Sequence, residues 1–377
     1  MSRLANSRRI AYKYSMNAAK TDKELRYGWT TGACATAATK SALSALFGQD
    51  FLDPVTITLP KGQTPAFVLA TENCIDGVAT ASIIKDAGDD PDVTHQARII
   101  SSVRHGKSGD GIKFFAGEGV GTVTREGLPL AIGEPAINPV PRQMMIDVCK
   151  QMCAEFDIAL DIHITVSIEN GEELAKYTMN GRLGILGGLS VLGTTGIVVP
   201  YSCSAWIASL HRGIDVARAA GETHVIASTG STSEKAANAI YDLPDYALLD
   251  MGDFAGGVLK YLKKHPMDRL TIAGGFAKIT KLAKGHMDLH SGRSSVDFIW
   301  LSEQLVHVGA SADLVESCKN ANTAMQVLTE AEKAGLQLAD HVAKLAKDFA
   351  NSVCGDGISI EVIIFDRKGN LVGRCDD

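Results

Sequence analysis

The chain has 377 residues, of which 45% are apolar and 21% charged, and its formal net charge is −6. This length predicts about two or three domains. No run approaches the ~18–20 apolar residues that span a bilayer, so no membrane partner is expected, and the acidic balance argues against nucleic acid, which requires clustered Lys and Arg.

The first half of the chain combines an arm with a mixed domain. Residues 1–24 are basic and lack the apolar stretch of a secretory signal, so a flexible arm is expected. In residues 25–194, helices are predicted after Gly32 and from Arg142 to about Phe156. Strands are predicted at VTITL (Val55), AFVLA (Ala66), ATASIIK (Ala79) and DIHITVSI (Asp161). Because strands and helices do not alternate regularly, an α+β domain with a mixed two-layer fold is expected.

Residues 195–377 show a different pattern. Short apolar strands are predicted at HVIAST, YALLDM and RLTIAG, each followed by a glycine-containing turn and a helix. This alternation is typical of βαβ units with a parallel sheet, so a Rossmann-like α/β domain is expected. After residue 294 the chain is predicted to be helical and to end in a strand, ISIEVIIFD, that turns at Lys368-Gly369-Asn370.

The loops after these strands are the candidate cofactor site, because parallel sheets bind ligands at the carboxyl ends of their strands. The first strand leads into a helix whose first turn has free N–H groups for a carboxylate or phosphate. Ser231 and Glu234 also match a capping box, so capping alone is an equal alternative. Asp250 is placed to accept hydrogen bonds from a ribose or, like Asp253, to cap the next helix. The candidate cofactor-binding residues are Thr229, Gly230, Ser231, Thr232, Asp250, Gly252, Gly274 and Gly275.

Two further motifs bring together carboxylates or imidazoles. DAGDDPDVT places four aspartates between Asp86 and Asp92, either as a turn with side-chain caps or as carboxylates for a cation or for catalysis. His286 and His290 would share one face of a helix, but two ligands do not make a metal site, and none is predicted. Eight scattered cysteines without a CxxC pair are expected to be structural thiols in a reducing cytoplasm.

Five segments carry a family resemblance. GEGVGTVTREGLPLAIGEPAINPVPR (117–142) alternates glycine and proline, which builds a loop of defined shape. With this loop, four other segments resemble the cobalt-precorrin-5B C1-methyltransferase family of cobalamin synthesis, in the family's order. They are TTGACATAATK (30–40), DAGDDPDVT (86–94), GLSVLGTTGIVVP (188–200) and GGFAKITKLAKGHMDLH (274–290).

The resemblance implies an S-adenosylmethionine-dependent enzyme that methylates ring carbon C1 of a cobalt corrinoid, with cobalt present only as part of the substrate. The substrate's acetate and propionate groups require local positive charge, and Arg142 is the strongest candidate because arginine binds carboxylates in a bidentate manner. The candidate substrate-binding residues are Thr30, Thr31, Gly32, Arg142, Lys278 and Lys281. Catalysis would consist mainly of aligning carbon, methyl and sulfur. The candidate general bases are Asp86, His105 and His290.

Two other functions stay open. One is a corrinoid carrier that binds without transforming its ligand. The other is a nucleotide-dependent oxidoreductase with the same α/β pattern, which the absence of GxGxxG disfavours. In each case the expected partner is a small molecule, and a homo-oligomer is compatible with the sequence.

Overall fold

The computed structural model of the chain describes residues 25–376, which divide into two compact units, residues 25–203 (unit 1) and 204–376 (unit 2). The sequence places the boundary between residues 194 and 195. The division falls later because strand Ile197–Val198 pairs with Gly28–Trp29 and so belongs to unit 1. The arm predicted over residues 1–24 lies outside the described residues. Within residues 25–376, no helix has the length and apolar character needed to cross a membrane.

Unit 1 contains eleven strands and three helices in its described part. The strands are β1 (Gly28–Trp29), β2 (Val55–Thr56), β3 (Ala66–Phe67), β4 (Thr71–Ile75), β5 (Val78–Ile84), β6 (Arg98–His105), β7 (Ile112–Ala116), β8 (Thr122–Val123), β9 (Ile162–Ile168), β10 (Ile185–Leu186) and β11 (Ile197–Val198). The helices are α1 (Thr31–Leu46), α2 (Pro139–Glu155) and α3 (Gly171–Ala175).

The main sheet of unit 1 has the strand order β4-β5-β6-β9-β7, with antiparallel neighbours except for the parallel pair β7 and β9. Helices α1 and α2 pack against each other, and α1 covers β5 and β6. Alternate residues of β6 are buried, and one of them, Ser101, bonds to Thr39 of α1 over 2.8 Å. The unit is therefore a mixed sheet with helices packed on one face.

Two predictions for unit 1 differ from the structure in their extent. Helix α2 begins at Pro139, before Arg142, because proline at the first helical positions needs no N–H partner. The strand regions VTITL and AFVLA shorten to β2 and β3, which pair only with each other over two residues. The long strand β6 and strand β7 were not predicted.

Unit 2 contains five strands and eight α-helices in its described part. The strands are β12 (His224–Ser228), β13 (Leu248–Asp250), β14 (Arg269–Gly275), β15 (Ser359–Phe365) and β16 (Leu371–Cys375). The helices are α4 (Cys203–Ala219), α5 (Ser231–Tyr241), α6 (Ala255–Leu262), α7 (Phe276–Ala283), α8 (Phe298–His307), α9 (Ala312–Lys319), α10 (Ala324–Lys333) and α11 (Leu338–Cys354).

The sheet of unit 2 has the strand order β13-β12-β14-β15-β16. The first four strands are parallel, which confirms the parallel pairing predicted for β12, β13 and β14, and β16 is antiparallel. From β12 the chain passes to β13 on one side and then returns to β14 on the other side. The direction of winding therefore reverses between β12 and β14.

A buried ion network ties the end of the chain to this sheet. The carboxylate of Glu361 in β15 is 2% exposed and accepts hydrogen bonds from Tyr241, from Thr271 over 2.7 Å and from Nε of Arg374 over 2.8 Å. Arg269 lies 3.2 Å from the same carboxylate. Burial alone would raise the pKa of Glu361, but these hydrogen bonds and the two guanidinium charges lower it.

Loss of the Glu361 charge is expected to destabilise the protein. The variant Glu361→Gln removes the buried charge, but both arginines are more than a third exposed, so we expect a loss of roughly 1–3 kcal/mol in the free energy of unfolding. Urea-induced unfolding measures the change. The matched control is Glu332→Gln, at an exposed position of α10, where we expect almost no change. Equal stability of the two variants would contradict the prediction.

Candidate functional site

The candidate cofactor residues lie at the carboxyl edge of the sheet in unit 2. Ser228, the last residue of β12, is paired with Asp250 on one side and with Ala273 on the other. Beyond the strands, the N–H of Thr229 donates to Ala273 O over 2.9 Å, and the N–H of Gly252 donates to Ser228 O over 3.0 Å. The loops after β12, β13 and β14 therefore lie side by side.

The first turn of α5 starts at this edge. Its N-cap is Gly230, which has no side chain to cap the helix, and Ser231 is already the first helical residue. The capping box that Ser231 and Glu234 would form is therefore absent. Uncapped first-turn amides are suited to an anionic group.

An unpartnered hydroxyl lies beside this turn. Ser228 Oγ is fully buried and has no hydrogen-bond partner among residues 25–376. Side chains alternate along a strand, so Ser228 lies on the same face of β12 as Ile226, which packs with Ala237 of α5. A buried polar atom without a protein partner is uncommon in a folded protein, so the Ser228 hydroxyl is a candidate ligand-binding group.

The loops after β13 and β14 complete the edge. Asp250 is half-buried, and its carbonyl accepts a hydrogen bond from Trp206 Nε1 over 2.9 Å. Helix α6 has Phe254 as its N-cap without a side-chain bond, so neither Asp250 nor Asp253 caps it. A Cβ on Gly274 would lie 2.9 Å from Thr229 Oγ1, whereas a Cβ on Gly275 would lie no closer than 4.0 Å to any atom. A side chain at Gly274 would therefore displace neighbouring side chains, whereas Gly275 faces open space.

The two lysines of α7 bind the chain itself. Lys278 Nζ donates to Thr229 O over 3.0 Å and lies 3.1 Å from Asp253 Oδ1, an ion pair without hydrogen-bond alignment. Lys281 is buried and donates to Leu289 O over 2.9 Å, and this burial lowers its pKa. Both were predicted to bind substrate carboxylates, and both ammonium groups are engaged by protein oxygens.

The histidine pair of residues 286–290 does not lie on a helix. Helix α7 ends at Ala283, and Gly285 has a φ of +97°, which turns the chain away. The prediction of two imidazoles on one helical face is therefore wrong. His290 Nδ1 accepts the N–H of Gly292 over 3.0 Å, so in the neutral ring Nε2 carries the proton and is a donor. Among the described residues, no three His, Cys, Asp or Glu side chains converge as a metal site.

In unit 1, the start of α1 is enclosed by other loops. Thr30, Thr31 and Gly32 are buried, and the N–H groups of Thr30 and Gly32 donate to Gly196 O and Leu192 O, each over 3.0 Å. Thr30 Oγ1 caps the helix by accepting the N–H of Ala33 over 3.2 Å. These amides are thus satisfied within the chain.

The acidic segment DAGDDPDVT forms a network of caps. Asp89 and Asp90 accept the N–H groups of Arg26 and Tyr201, each over 2.8 Å. Asp92 accepts the ammonium of Lys85, which is 1% exposed, over 2.7 Å. The carboxylates have separate partners, so the arrangement is the capped turn rather than a cation site.

Asp86, a candidate base, forms an ion pair with Arg26. It also accepts the N–H of Gly88 over 2.9 Å. The hydrogen bond from Arg26 holds the pKa of Asp86 below its ordinary value. His105 ends β6, whereas Asp86 follows Ile84, the residue paired with Arg98 at the start of β6, and the strand between these two ends is about 23 Å long at the usual rise. The structure therefore does not bring these two candidate bases together.

Arg142 supports the glycine- and proline-rich loop. Its Nε donates to Ile137 O over 2.7 Å and its Nη2 to Pro135 O over 3.0 Å. The guanidinium also lies 3.1 Å from Glu134 and 5.4 Å from the centre of the Phe114 ring. Arg142, predicted to bind substrate, thus holds the shape of its own loop.

Sequence reasoning missed several residues that build these sites. Arg26 and Tyr201 act through distant aspartates, and no local pattern identifies them. Ser228 has no distinguishing feature in the sequence, because only the structure shows that its hydroxyl is buried without a partner. Lys85 could have been found from the sequence, because it directly follows the apolar alternation of β5. A lysine in such a position is expected to be buried, and a buried lysine requires a carboxylate partner.

The fold and the site together define a two-unit mixed α/β protein with a candidate ligand site at the carboxyl edge of a largely parallel sheet. Sequence models described as CbiD and as CbiD, C-terminal domain match residues 18–200 and 288–376. The cobalt-precorrin-5B C(1)-methyltransferase of Brucella anthropi is 59% identical over 362 residues, which cover 95% of this chain and 98% of that protein. The protein of the same name from Brucella canis is 60% identical over 352 residues, 93% and 96% of the two chains.

Among solved structures, the chain is similar to a cobalamin biosynthesis protein (cbiD) from Archaeoglobus fulgidus. The identity is 27%, the match covers 68% of this chain and 78% of that one, and the TM-score is 0.39. The identities with the Brucella proteins extend over nearly the whole of both chains. The chain therefore belongs to the CbiD family, and the predicted resemblance is confirmed.

Close backbone contact in unit 1 leads to a stability prediction. Gly88 has a φ of +68°, and a Cβ there would lie 2.1 Å from Arg26 O, whereas Gly62 has a φ of +86° and no atom within 4 Å. We expect Gly62→Ala to cost roughly 1–2 kcal/mol through backbone strain alone. Gly88→Ala should cost roughly 1–3 kcal/mol more, because the loop must also move. Urea-induced unfolding of both variants measures the difference, and equal losses would show that the contact is not tight.

Proposed function

We propose that this chain transfers a methyl group from S-adenosylmethionine to C1 of cobalt-precorrin-5B, giving cobalt-precorrin-6A in cobalamin biosynthesis, and that it acts in the cytoplasm. Membership of the CbiD family and the names of the Brucella relatives support the reaction. S-adenosylmethionine, when bound, supplies a methyl group carried on a sulfonium. Cobalt enters only within the substrate.

The observation that carries the cofactor assignment is the reversal of winding between β12 and β14. We assign unit 2 as a Rossmann-like domain, because doubly wound sheets bind ligands at such a switch point. The uncapped first turn of α5 and Ser228 Oγ would hold the donor's carboxylate. Asp250 would accept hydrogen bonds from the ribose, and Gly275 leaves room at the end of β14.

The corrinoid is assigned to unit 1 through its glycine-rich loops. Thr30, Thr31, Gly32 and Arg142 would act by holding those loops in shape, since their polar groups are engaged within the chain. Glycine-rich backbone allows close approach of a flat macrocycle.

Side-chain bases contribute little in this proposal. The ion pair with Arg26 makes Asp86 a weaker base, and neutral His290 presents a donor at Nε2. His105 remains a candidate base at an exposed position. Catalysis by alignment alone can supply roughly 7–11 kcal/mol.

The reaction is tested by incubating the purified protein with cobalt-precorrin-5B and S-adenosylmethionine that carries an isotopic methyl group. We expect one labelled methyl group at C1 of the corrinoid and one S-adenosylhomocysteine for each product. Mass spectrometry measures both. Corrinoid binding without label transfer would contradict the proposal and favour a carrier, and a nicotinamide-dependent absorbance change would favour an oxidoreductase.

The cofactor assignment is tested by filling the space beside Gly275. Its backbone φ is ordinary and its Cβ position is open, so Gly275→Val is expected to fold normally. The added side chain would occupy the proposed donor site and lower the affinity for S-adenosylmethionine by tenfold or more, about 1.4 kcal/mol. Calorimetry measures the affinity, and Ala334→Val, at the exposed residue that follows α10, is the control. Unchanged affinity would place the donor elsewhere.

A further inference from the structure

Lys278 connects the three loops at the carboxyl edge of unit 2. It lies in the first turn of α7, directly after β14. Its ammonium contacts Thr229 O in the loop after β12 and Asp253 Oδ1 in the loop after β13, at 3.0 and 3.1 Å. One side chain thus joins the ends of three neighbouring strands.

We propose that Lys278 and Asp253 form a clamp that fixes these loops in the arrangement the methyl donor requires. Lys278 is then a positioning residue rather than a ligand of substrate carboxylates. The inference rests on the proposed function for its role in methyl transfer. The clamp itself rests on contacts within unit 2.

The position of Thr229 gives the clamp its effect. Thr229 lies one residue before Gly230, the N-cap of α5, so its carbonyl fixes the direction in which the first-turn amides point. One donor of the ammonium is hydrogen-bonded to Thr229 O, and its charge lies 3.1 Å from Asp253 Oδ1. A substrate carboxylate would have to compete with both.

Asp253 extends the clamp to a fourth segment. Its carboxylate is 10% exposed and lies close enough to Lys281 to influence the pKa of that lysine. Its backbone carbonyl accepts the N–H of Leu289 over 2.8 Å, and Leu289 O accepts Lys281 Nζ over 2.9 Å. A buried carboxylate requires compensating charge, so the two lysines of α7 hold Asp253 and the segment around Leu289 together.

Preorganisation is the physical gain. Loops that are ordered before binding do not lose that freedom when the ligand arrives, so the affinity is higher. Removal of the clamp should weaken donor binding without changing the contacts made to the corrinoid. The KM for the donor and the KM for the corrinoid therefore separate a positioning role from a substrate-binding role.

The experiment compares Lys278→Met, Lys278→Arg and Asp253→Asn with Lys344→Met, which breaks an exposed Lys–Asp pair on α11. For Lys278→Met we expect the Kd and KM for S-adenosylmethionine to rise about tenfold, equivalent to about 1.4 kcal/mol. The KM for cobalt-precorrin-5B should stay within about twofold, which is less than 0.5 kcal/mol. Lys278→Arg should restore most of the affinity, Asp253→Asn should resemble Lys278→Met, and Lys344→Met should resemble the wild type.

Hydrogen exchange without any ligand gives a second readout. The hydrogen-bonded amides of Thr229 and Gly252 should exchange faster in Lys278→Met and Asp253→Asn, and not in Lys344→Met, because only the first two variants loosen these loops. A raised KM for the corrinoid with unchanged donor affinity, or unchanged exchange of the Thr229 and Gly252 amides, would overturn the clamp. A wild-type protein that neither binds nor uses S-adenosylmethionine would instead refute the proposed function, and the exchange measurement would still decide the clamp.

Discussion

Parallel pairing is the constraint on which the candidate site depends. Because parallel strands are joined by helices that run back across the sheet, β12, β13 and β14 all end at the same edge. The backbone ladder stops there, and each following loop must be held by other contacts. The N–H groups of Thr229 and Gly252 supply two of these contacts, and the ammonium of Lys278 supplies a third.

The loops of unit 1 must also be held in place, and there close backbone contacts do this rather than charged side chains. A Cβ on Gly119 would lie 2.0 Å from Ile168 O, and one on Gly188 would lie 2.3 Å from Gly119 O. Such spacing excludes any side chain, so glycine is required at both positions. The glycine-rich segments that carry the family resemblance are therefore packed against one another. Main-chain contact sets the shape of these segments, and Arg142 stabilises the segment 117–142 by donating to Ile137 O and Pro135 O.

Local patterns predicted what depends on neighbours in sequence. The strands β12 and β14, the turn at residues 368–370 and the family were all available from short motifs, and each is confirmed. Strand β7 was missed because none of its residues is fully buried, so its sequence lacks the alternation of a half-buried strand. The capping box at Ser231 failed for a different reason, since the preceding glycine, held by the loop, became the cap.

The predicted carboxylate ligands illustrate a general limit of reading charge from sequence. Arg142, Lys278 and Lys281 have the right chemistry for a polycarboxylate substrate, yet each directs its donors to carbonyl oxygens of the chain. Irregular loops have carbonyl groups that no ladder satisfies, and a long cationic side chain is an effective partner for them. In a protein built from many such loops, the cationic side chains near a site are needed first as hydrogen-bond donors that keep the loops in place. Substrate recognition would then rest on the shape those loops keep.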